Sequence, residues 1–311
     1  MSAVTAPTRP LAARVHPGRL AWRRLLRHRL AQASLIFLAV LLVLSIAAPW
    51  LAELRGVDPA ATDLFKRFEP PSADHWLGTD DLGRDLFQRL LDGGRVSLLV
   101  GIAGAFLSAI VGAAIGVVAG YLGGRLDRIL MRFTDGVIAL PLLPLLIVLA
   151  AIDPAKLHLP AGLAQSENFP LYRIVFIIAL TGWTTAARLV RAETLSLKAR
   201  DFTRAAQALG AGPLRIMLRH ILPNAMGSLV VATTMAAGGL ILLESTLSYL
   251  GLGTQPPAAS WGNMLTGAQD LLQDAPLLAL WPGLLILLTV IAFNFVGDGL
   301  QDALDPRSER R

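Results

Sequence analysis

The chain has 311 residues, of which 54% are hydrophobic and 16% charged, with a mean hydropathy of +0.57. Soluble domains carry nearer ~25% charged residues, so an ordinary soluble protein is excluded and a polytopic membrane protein is predicted. The formal charge of +6 does not point to nucleic acid, because the basic residues lack the aromatic interleaving of single-strand binders; without cysteine there is no disulfide, thiol nucleophile or thiolate metal site.

Residues 1–30 hold seven arginines and no acid. Leu20, Trp22, Leu25, Leu26 and Leu30 are set among Arg19, Arg23, Arg24, Arg27 and Arg29, the pattern of a basic cytoplasmic tail that is drawn to anionic lipid or serves only to fix orientation. Residues 31–52 are 22 uncharged residues, long enough at ~1.5 Å each to cross a ~30 Å hydrocarbon core. The run is too long for a signal peptide and reads as a retained first transmembrane helix.

Residues 53–96, with Pro59, Pro70, Pro71 and nine acids against six bases, read as a folded extracytoplasmic loop. Within it HWLGTDDLGRD spans 75–85. His75, Asp80, Asp81 and Asp85 have no recognised ligand spacing, so a solvated acidic turn is expected rather than a metal site.

The second span is expected over 97–121, where Gly104, Ser108, Gly112, Gly116 and Gly120 recur every four residues and form one small ridge for helix packing. Next comes an inside loop, GGRLDRILMRFTD, with Arg128, Arg132 and Asp135 close on one helical face as a solvated surface with weak ion pairs. A short third span, 137–152, is interrupted by Pro141 and Pro144. After a loop over 153–170, only 14 apolar residues separate Arg173 from Arg188, so a fourth span of ~21 Å requires both arginines to snorkel.

Residues 200–224, RDFTRAAQALGAGPLRIMLRHILPN, predict helix, glycine corner, helix. Phe202, Ala205, Ala206 and Leu209 share one face, Gly210 and Gly212 break the run, and Pro213 starts a second helix where its missing N–H is not needed. Leu214, Met217, Leu218 and Ile221 form the second apolar face, opposite Arg215 and Arg219. The small alanines favour a protein groove over lipid.

Spans five and six are expected over 225–243 and 275–296, the latter with Asn294 as its one strongly polar residue. Between them, Glu244–Asp274 carries no Lys or Arg and contains LSYLGLGTQPPAASWGNML. Glu244 lies at the apolar boundary, where an ionisable group is usually paired or functional. Gly251 and Gly253 lack the third glycine and βαβ context of a dinucleotide loop. With the N-terminus inside, six spans place 20 Lys and Arg on the inner side and 8 on the outer, as the positive-inside rule requires. No GxxxxGK[ST] loop, HExxH helix or GxSxG elbow is present, so no catalytic machinery of those kinds is visible.

The 200–224 stretch resembles the EAA loop of ABC importer permeases. Ala205, Ala206, Gly210, Leu222 and Pro223 match that pattern in register, Arg204 stands in place of its glutamate, and His220 takes the first isoleucine position beside Ile221. HWLGTDDLGRD and GLGTQPPAASWG, in that order around it, are similar to the dipeptide and oligopeptide permease subfamily. The resemblance implies an all-α type I importer permease of six transmembrane helices, with residues 97–300 as the permease domain and 301–311 as a cytoplasmic tail. It implies a coupling loop for partner ATPases made by Asp201, Arg204, Ala205, Ala206, Gly210, Arg215, His220, Leu222 and Pro223. It further implies an extracytoplasmic gate or docking group among Asp80, Arg84, Asp85, Glu244, Gln255 and Trp261. The chain itself is expected to bind no cofactor and no metal, ATP and Mg residing on the partners. Those partners are a second homologous permease, two ATP-binding-cassette ATPases, an extracytoplasmic solute-binding protein and the lipid membrane, with no nucleic acid. The expected place is the bacterial cytoplasmic membrane with both termini cytoplasmic, and the expected cargo is peptide. Nickel complexes or modified peptides are alternatives within the family, and an ion-coupled secondary transporter is the alternative from another class.

Overall fold

The computed structural model describes residues 22–152, 162, 169–268 and 270–304. The tail before residue 22, most of the 153–170 loop and the chain after 304 lie outside the described residues. Among these, nearly every regular element is a helix, and the single β-bridge joins Thr79 to Asp85.

Helix α1 (Arg29–Arg55) starts at His28, whose Nδ1 accepts the Ala31 N–H at 3.2 Å, and ends at Gly56, whose φ of 64° suits a left-handed cap. Helix α2 (Leu86–Leu122) is 37 residues long and begins well before the expected 97. Asp85 starts it by accepting the Gln88 N–H at 2.7 Å, and the polar residues of its first turns are buried against partners rather than solvated in a loop.

Helix α3 (Gly124–Ala139) and α4 (Leu142–Ala151) are bent by 87° where Pro141 interrupts them. Ten residues reach only ~15 Å, so the third crossing is this broken pair and not one straight rod. Helix α5 (Phe169–Lys198) corrects the fourth span: it is 30 residues long, so no shortness forces Arg173 and Arg188 to snorkel. The arginines interrupt the hydropathy but not the helix, since Arg188 pairs with Asp135 and Arg191 with Asp127 across to α3.

Helix α6 (Asp201–Ala208) leads through Gly210 to α7 (Pro213–Ile216), a π-helical turn (Met217–Ile221) and α8 (Leu222–Tyr249). Helix α9 (Leu277–Leu304) completes the fold. Among the described residues five helices are long and apolar enough to cross a membrane, and the bent pair, taken as one span, makes six.

Helix α2 is the central element and packs most extensively on α5. Its five small residues, Gly104, Ser108, Gly112, Gly116 and Gly120, are all buried. A Cβ added at Gly112 would sit 2.6 Å from the Trp183 carbonyl and the Ala186 Cβ, and one at Gly120 would sit 2.8 Å from the Thr194 Cβ, so the two backbones approach as closely as glycine allows. Ser108 abuts Gly182 in the same seam. A separate core joins Leu41 of α1, Leu86, Leu90, Leu98 and Ala105 of α2, Ala237 and Ile241 of α8, Ile286 and Phe293 of α9, and Trp261.

Candidate functional site

The bundle has two polar ends. One end holds residues 200–224 and the other holds the segments around 55–97 and 244–266.

At the first end, the chain turns at Gly210, whose φ is +81° and around which an added Cβ would meet nothing within 4 Å. The glycine is needed for its backbone and not for space. Pro213 is at the start of α7, and Asp201 opens α6, where a negative charge favours the helix dipole. Thr203 fastens α6 by donating to the Leu197 carbonyl at 2.8 Å, and Gln207 reaches the Tyr121 hydroxyl at 3.4 Å. Lys198 donates to the Tyr121 carbonyl at 2.6 Å and lies over its ring. The π turn has a local cause: Pro223 has no N–H to offer residue 219, and widening the preceding turn lets the Leu222 N–H reach the Met217 carbonyl instead.

The apolar faces read from the sequence are disposed differently from a buried stripe. Phe202 and Leu209 are exposed, Leu209 at 88%, and Ala205 beside them is exposed, with Ala206 half-buried. The second face splits. Ile221 is buried and Met217 half-buried, while Leu214 and Leu218 point outward and Ile216, which the pattern missed, is buried against Tyr121. Arg204 and Arg215 are exposed, and the His220 carbonyl accepts from Asn224.

At the opposite end, the acidic turn is not solvated. Asp80 is 5% exposed, accepts the N–H groups of Leu82 and Arg84 at 2.9 Å and Arg84 Nε at 2.8 Å, and forms an ion pair with Arg89 Nε at 3.2 Å. Asp85 is buried and accepts both terminal nitrogens of Arg55, at 3.3 and 2.9 Å, the Gln88 N–H, and His75 Nδ1 at 3.0 Å. The Arg55 guanidinium also stacks 4.6 Å from the Trp76 ring centroid. Burial pushes the Asp85 carboxyl up, but the Arg55, Gln88 and His75 hydrogen bonds together outweigh it and hold the group below its ordinary value. Thr79 ties the same loop by donating to the Lys66 carbonyl. No group of ligating side chains suited to a metal occurs among the described residues.

Glu244 is fully buried inside α8, not at a boundary. It accepts from Ser248 Oγ at 2.7 Å, Ser97 Oγ of α2 at 2.9 Å and Ser245 Oγ at 3.5 Å, so its partners are hydroxyls. Ser97 Oγ in turn accepts the Trp261 N–H at 3.2 Å, and the Trp261 indole donates to the Leu90 carbonyl at 2.9 Å. Gly93 leaves room for this approach, since a Cβ there would lie 3.1 Å from the Ser260 backbone. Asp80, Arg84 and Asp85 thus form one cluster and Glu244 and Trp261 a second, joined by the first turns of α2. Gln255 stands apart: it is exposed and donates to the Gly251 carbonyl. Residue patterns singled out neither Arg55 nor Ser97 as partners, because each meets its acid only across the fold, whereas Ser245 and Ser248 lie one and four positions along the same helix from Glu244.

A family model described as binding-protein-dependent transport system inner membrane component matches residues 112–310, more than half of the chain. A second, the N-terminal TM domain of oligopeptide transport permease C, matches residues 16–71. The chain is 40% identical over 280 residues to the oligopeptide transport system permease protein OppC of Bacillus subtilis, covering 90% of this chain and 86% of that one. It is 40% identical over 291 residues to the dipeptide transport system permease protein DppC of the same organism, covering 93% and 86%. It is 41% identical over 292 residues to the glutathione transport system permease protein GsiD of Pectobacterium atrosepticum, covering 94% and 91%. The chain is therefore a member of the binding-protein-dependent transport system inner membrane component family, the permeases of ABC importers.

Proposed function

We propose that this chain forms half of a peptide-conducting pathway in a bacterial cytoplasmic membrane and is driven by two partner ATPases through residues 200–224. Peptide as cargo rests on the relatives whose names specify oligopeptide and dipeptide transport. Both termini are assigned to the cytoplasm, a reading supported by the 20 to 8 division of Lys and Arg between the two sides. The ATP and Mg belong to the partners, and an extracytoplasmic solute-binding protein delivers the cargo to the Asp80 and Gln255 end.

The observation that carries the reading is the exposed apolar surface of the loop. Phe202 and Leu209 are 43% and 88% exposed on a segment that continues directly into a membrane helix, in which Leu214 and Leu218, 66% and 53% exposed, line an apolar groove. Shifting a two-state equilibrium from 1:99 to 99:1 takes ~5.5 kcal/mol, while an exposed ion pair supplies ~0.2 to 1 kcal/mol. Burying Phe202 and Leu209 supplies ~1.5 to 3 kcal/mol each, so apolar seating of α6 in an ATPase cleft contributes far more than Arg204 would. Movement of α6 would pass through Gly210 and the π turn into α8, and at its far end to Glu244 and Trp261.

A second, homologous permease is supported by the shape of the chain alone. An apolar groove of about 710 Å³ runs along α2 and α8. In this reading Glu244, Ser97 and Trp261 hold the outer segment onto α2 and α8 as the fixed side of the outer gate.

The test is ATP-driven peptide uptake in proteoliposomes that contain both permeases, the ATPases and the binding protein. Gly210→Val is expected to leave the complex assembled and hydrolysing ATP while uptake is lost. Unchanged uptake by that variant would overturn the coupling role.

A further inference from the structure

Next to the 200–224 loop, but separate from it, a second cleft of about 340 Å³ opens between the N-terminal turn and the adjoining ends of α8 and α9. Its volume lies in the ~300 to 1,000 Å³ range of small-molecule sites. Trp22 and Leu25 form one wall, Met226, Gly227 and Val230 another, and Leu300 and Leu304 the third, so the lining has no polar side chain apart from the indole edge. Leu25 is fixed there, buried with Ala31 and Ala303 and close against Gly299.

The lining carries no charged side chain, and the sequence beside Trp22 and Leu25 is basic. Arg23, Arg27 and Arg29 flank Trp22 and Leu25 in sequence, are exposed, and have no acidic partner among the described residues. Asp298 and Asp302 are each two positions from Leu300 or Leu304, about 200° around the helix and thus away from the cleft. An exposed Trp22 beside free arginines at the end of membrane helices is the composition of an interfacial anchor. An apolar slot demands an apolar occupant, and three exposed guanidinium groups within four positions of its lining residue Leu25 demand a negative one. We infer that the cleft binds an anionic phospholipid of the inner leaflet, an acyl chain lying between Val230 and Leu304 and its phosphate among Arg23, Arg27 and Arg29.

Native mass spectrometry of the assembled transporter, full-length in this chain, tests the site after extraction from mixed phosphatidylglycerol and phosphatidylcholine vesicles. The wild-type complex is expected to retain phosphatidylglycerol in preference. Replacing Arg23, Arg27 and Arg29 with glutamine is expected to lower that preference about fivefold per arginine, the ratio equivalent to the ~1 kcal/mol of each basic residue at an anionic surface. Gly227→Leu fills the slot, and because the first added carbon stands 3.8 Å from Leu304 Cδ1 it brings no clash at that atom; it is expected to reduce retention of both lipids. If Gly227→Leu fails to assemble, phosphatidylglycerol with a photoreactive acyl chain is to be mapped on the wild-type complex, with labelling expected at Met226, Val230 or Leu304. Equal retention of the two lipids by the wild type, labelling elsewhere, or a cross-link from Leu300 to another protein subunit that excludes lipid would each overturn the inference.

Discussion

At the Trp261 end, Asp80, Asp85 and Glu244 are buried and each accepts at least three hydrogen bonds from this chain's own groups. At the Gly210 end, Phe202, Leu209, Leu214 and Leu218 are exposed, and α6 is held by little beyond Thr203 and Gln207. Polar groups taken out of water must be satisfied locally or the fold pays heavily, so the first end is completed within one chain. Apolar groups left in water are tolerable singly but costly together, so the second end is completed only when another surface covers it. The difference separates a segment that is stable by itself from one whose energy is held for a partner. Substitutions at the first end should therefore lower stability, and substitutions at the second should lower coupling.

The largest effect is expected from Asp85→Ala. It strands Arg55, whose side chain is 11% exposed, without its carboxylate, and breaking such a pair costs ~3 to 5 kcal/mol. Thermal unfolding of the purified complex, together with protease cleavage within residues 56–74, should report it. A variant with unchanged melting and unchanged cleavage would erase the distinction between the two ends.

Gly112→Val attacks the seam between them. The added side chain meets the Trp183 carbonyl and Ala186, and overpacking of this kind costs ~1 to 3 kcal/mol. Lower melting with α5 displaced is expected, whereas Gly239→Ala, where an added Cβ meets nothing within 4 Å, should be far milder. Equal melting of the two variants would count against close backbone packing along the ridge.

Gly210 sharpens the contrast from the other side. Valine in a left-handed position costs ~1 to 2 kcal/mol locally, and asparagine tolerates the same backbone better. The expected order of peptide uptake per ATP hydrolysed is wild type, then Asn, then Val, with little change in melting. A fall in melting as large as that of Asp85→Ala would mean that the loop is structural.

Acidification should weaken the Asp85 cluster. Because the folded-state value of Asp85 lies below its ordinary value near 3.8, its contribution is fully present above that value and is lost as pH falls through the folded one. The opening free energy of residues 75–88, taken from hydrogen exchange after correction for the intrinsic rate at each pH, should be flat from neutrality down to about pH 4 and then fall, and Asp85→Asn should remove that step. The smallest effect is expected for Arg204→Ala. An exposed charge is worth ~0 to 1 kcal/mol, so ATPase binding measured by titration should shift less than about fivefold. A loss of binding would shift the weight from apolar seating to electrostatics.

Much of this was legible without coordinates. Hydropathy located the membrane helices, the four-residue recurrence of Gly104 to Gly120 marked a helix face, and the alternation of Ala205, Ala206, Gly210 and Pro213 foretold a cornered helix pair. These features are local, since they follow from chain periodicity and from what glycine and proline do to a backbone. The length of α5 was misread because a hydropathy window penalises Arg173 and Arg188 without seeing Asp135 across the fold. The acidic turn was misread for the same reason, as Arg55 lies thirty residues from Asp85.

By itself the sequence determined that this is a multi-pass membrane protein, where its helices break, and which family it resembles, because each depends on composition, order and short-range periodicity. Only the tertiary structure decided that Glu244 sits in a cage of serines, that Asp80 and Asp85 are buried, and which leucines of the loop are left uncovered. Those outcomes depend on groups up to 147 residues apart meeting at hydrogen-bond distance, as Ser97 and Glu244 do, and no local pattern encodes such a meeting.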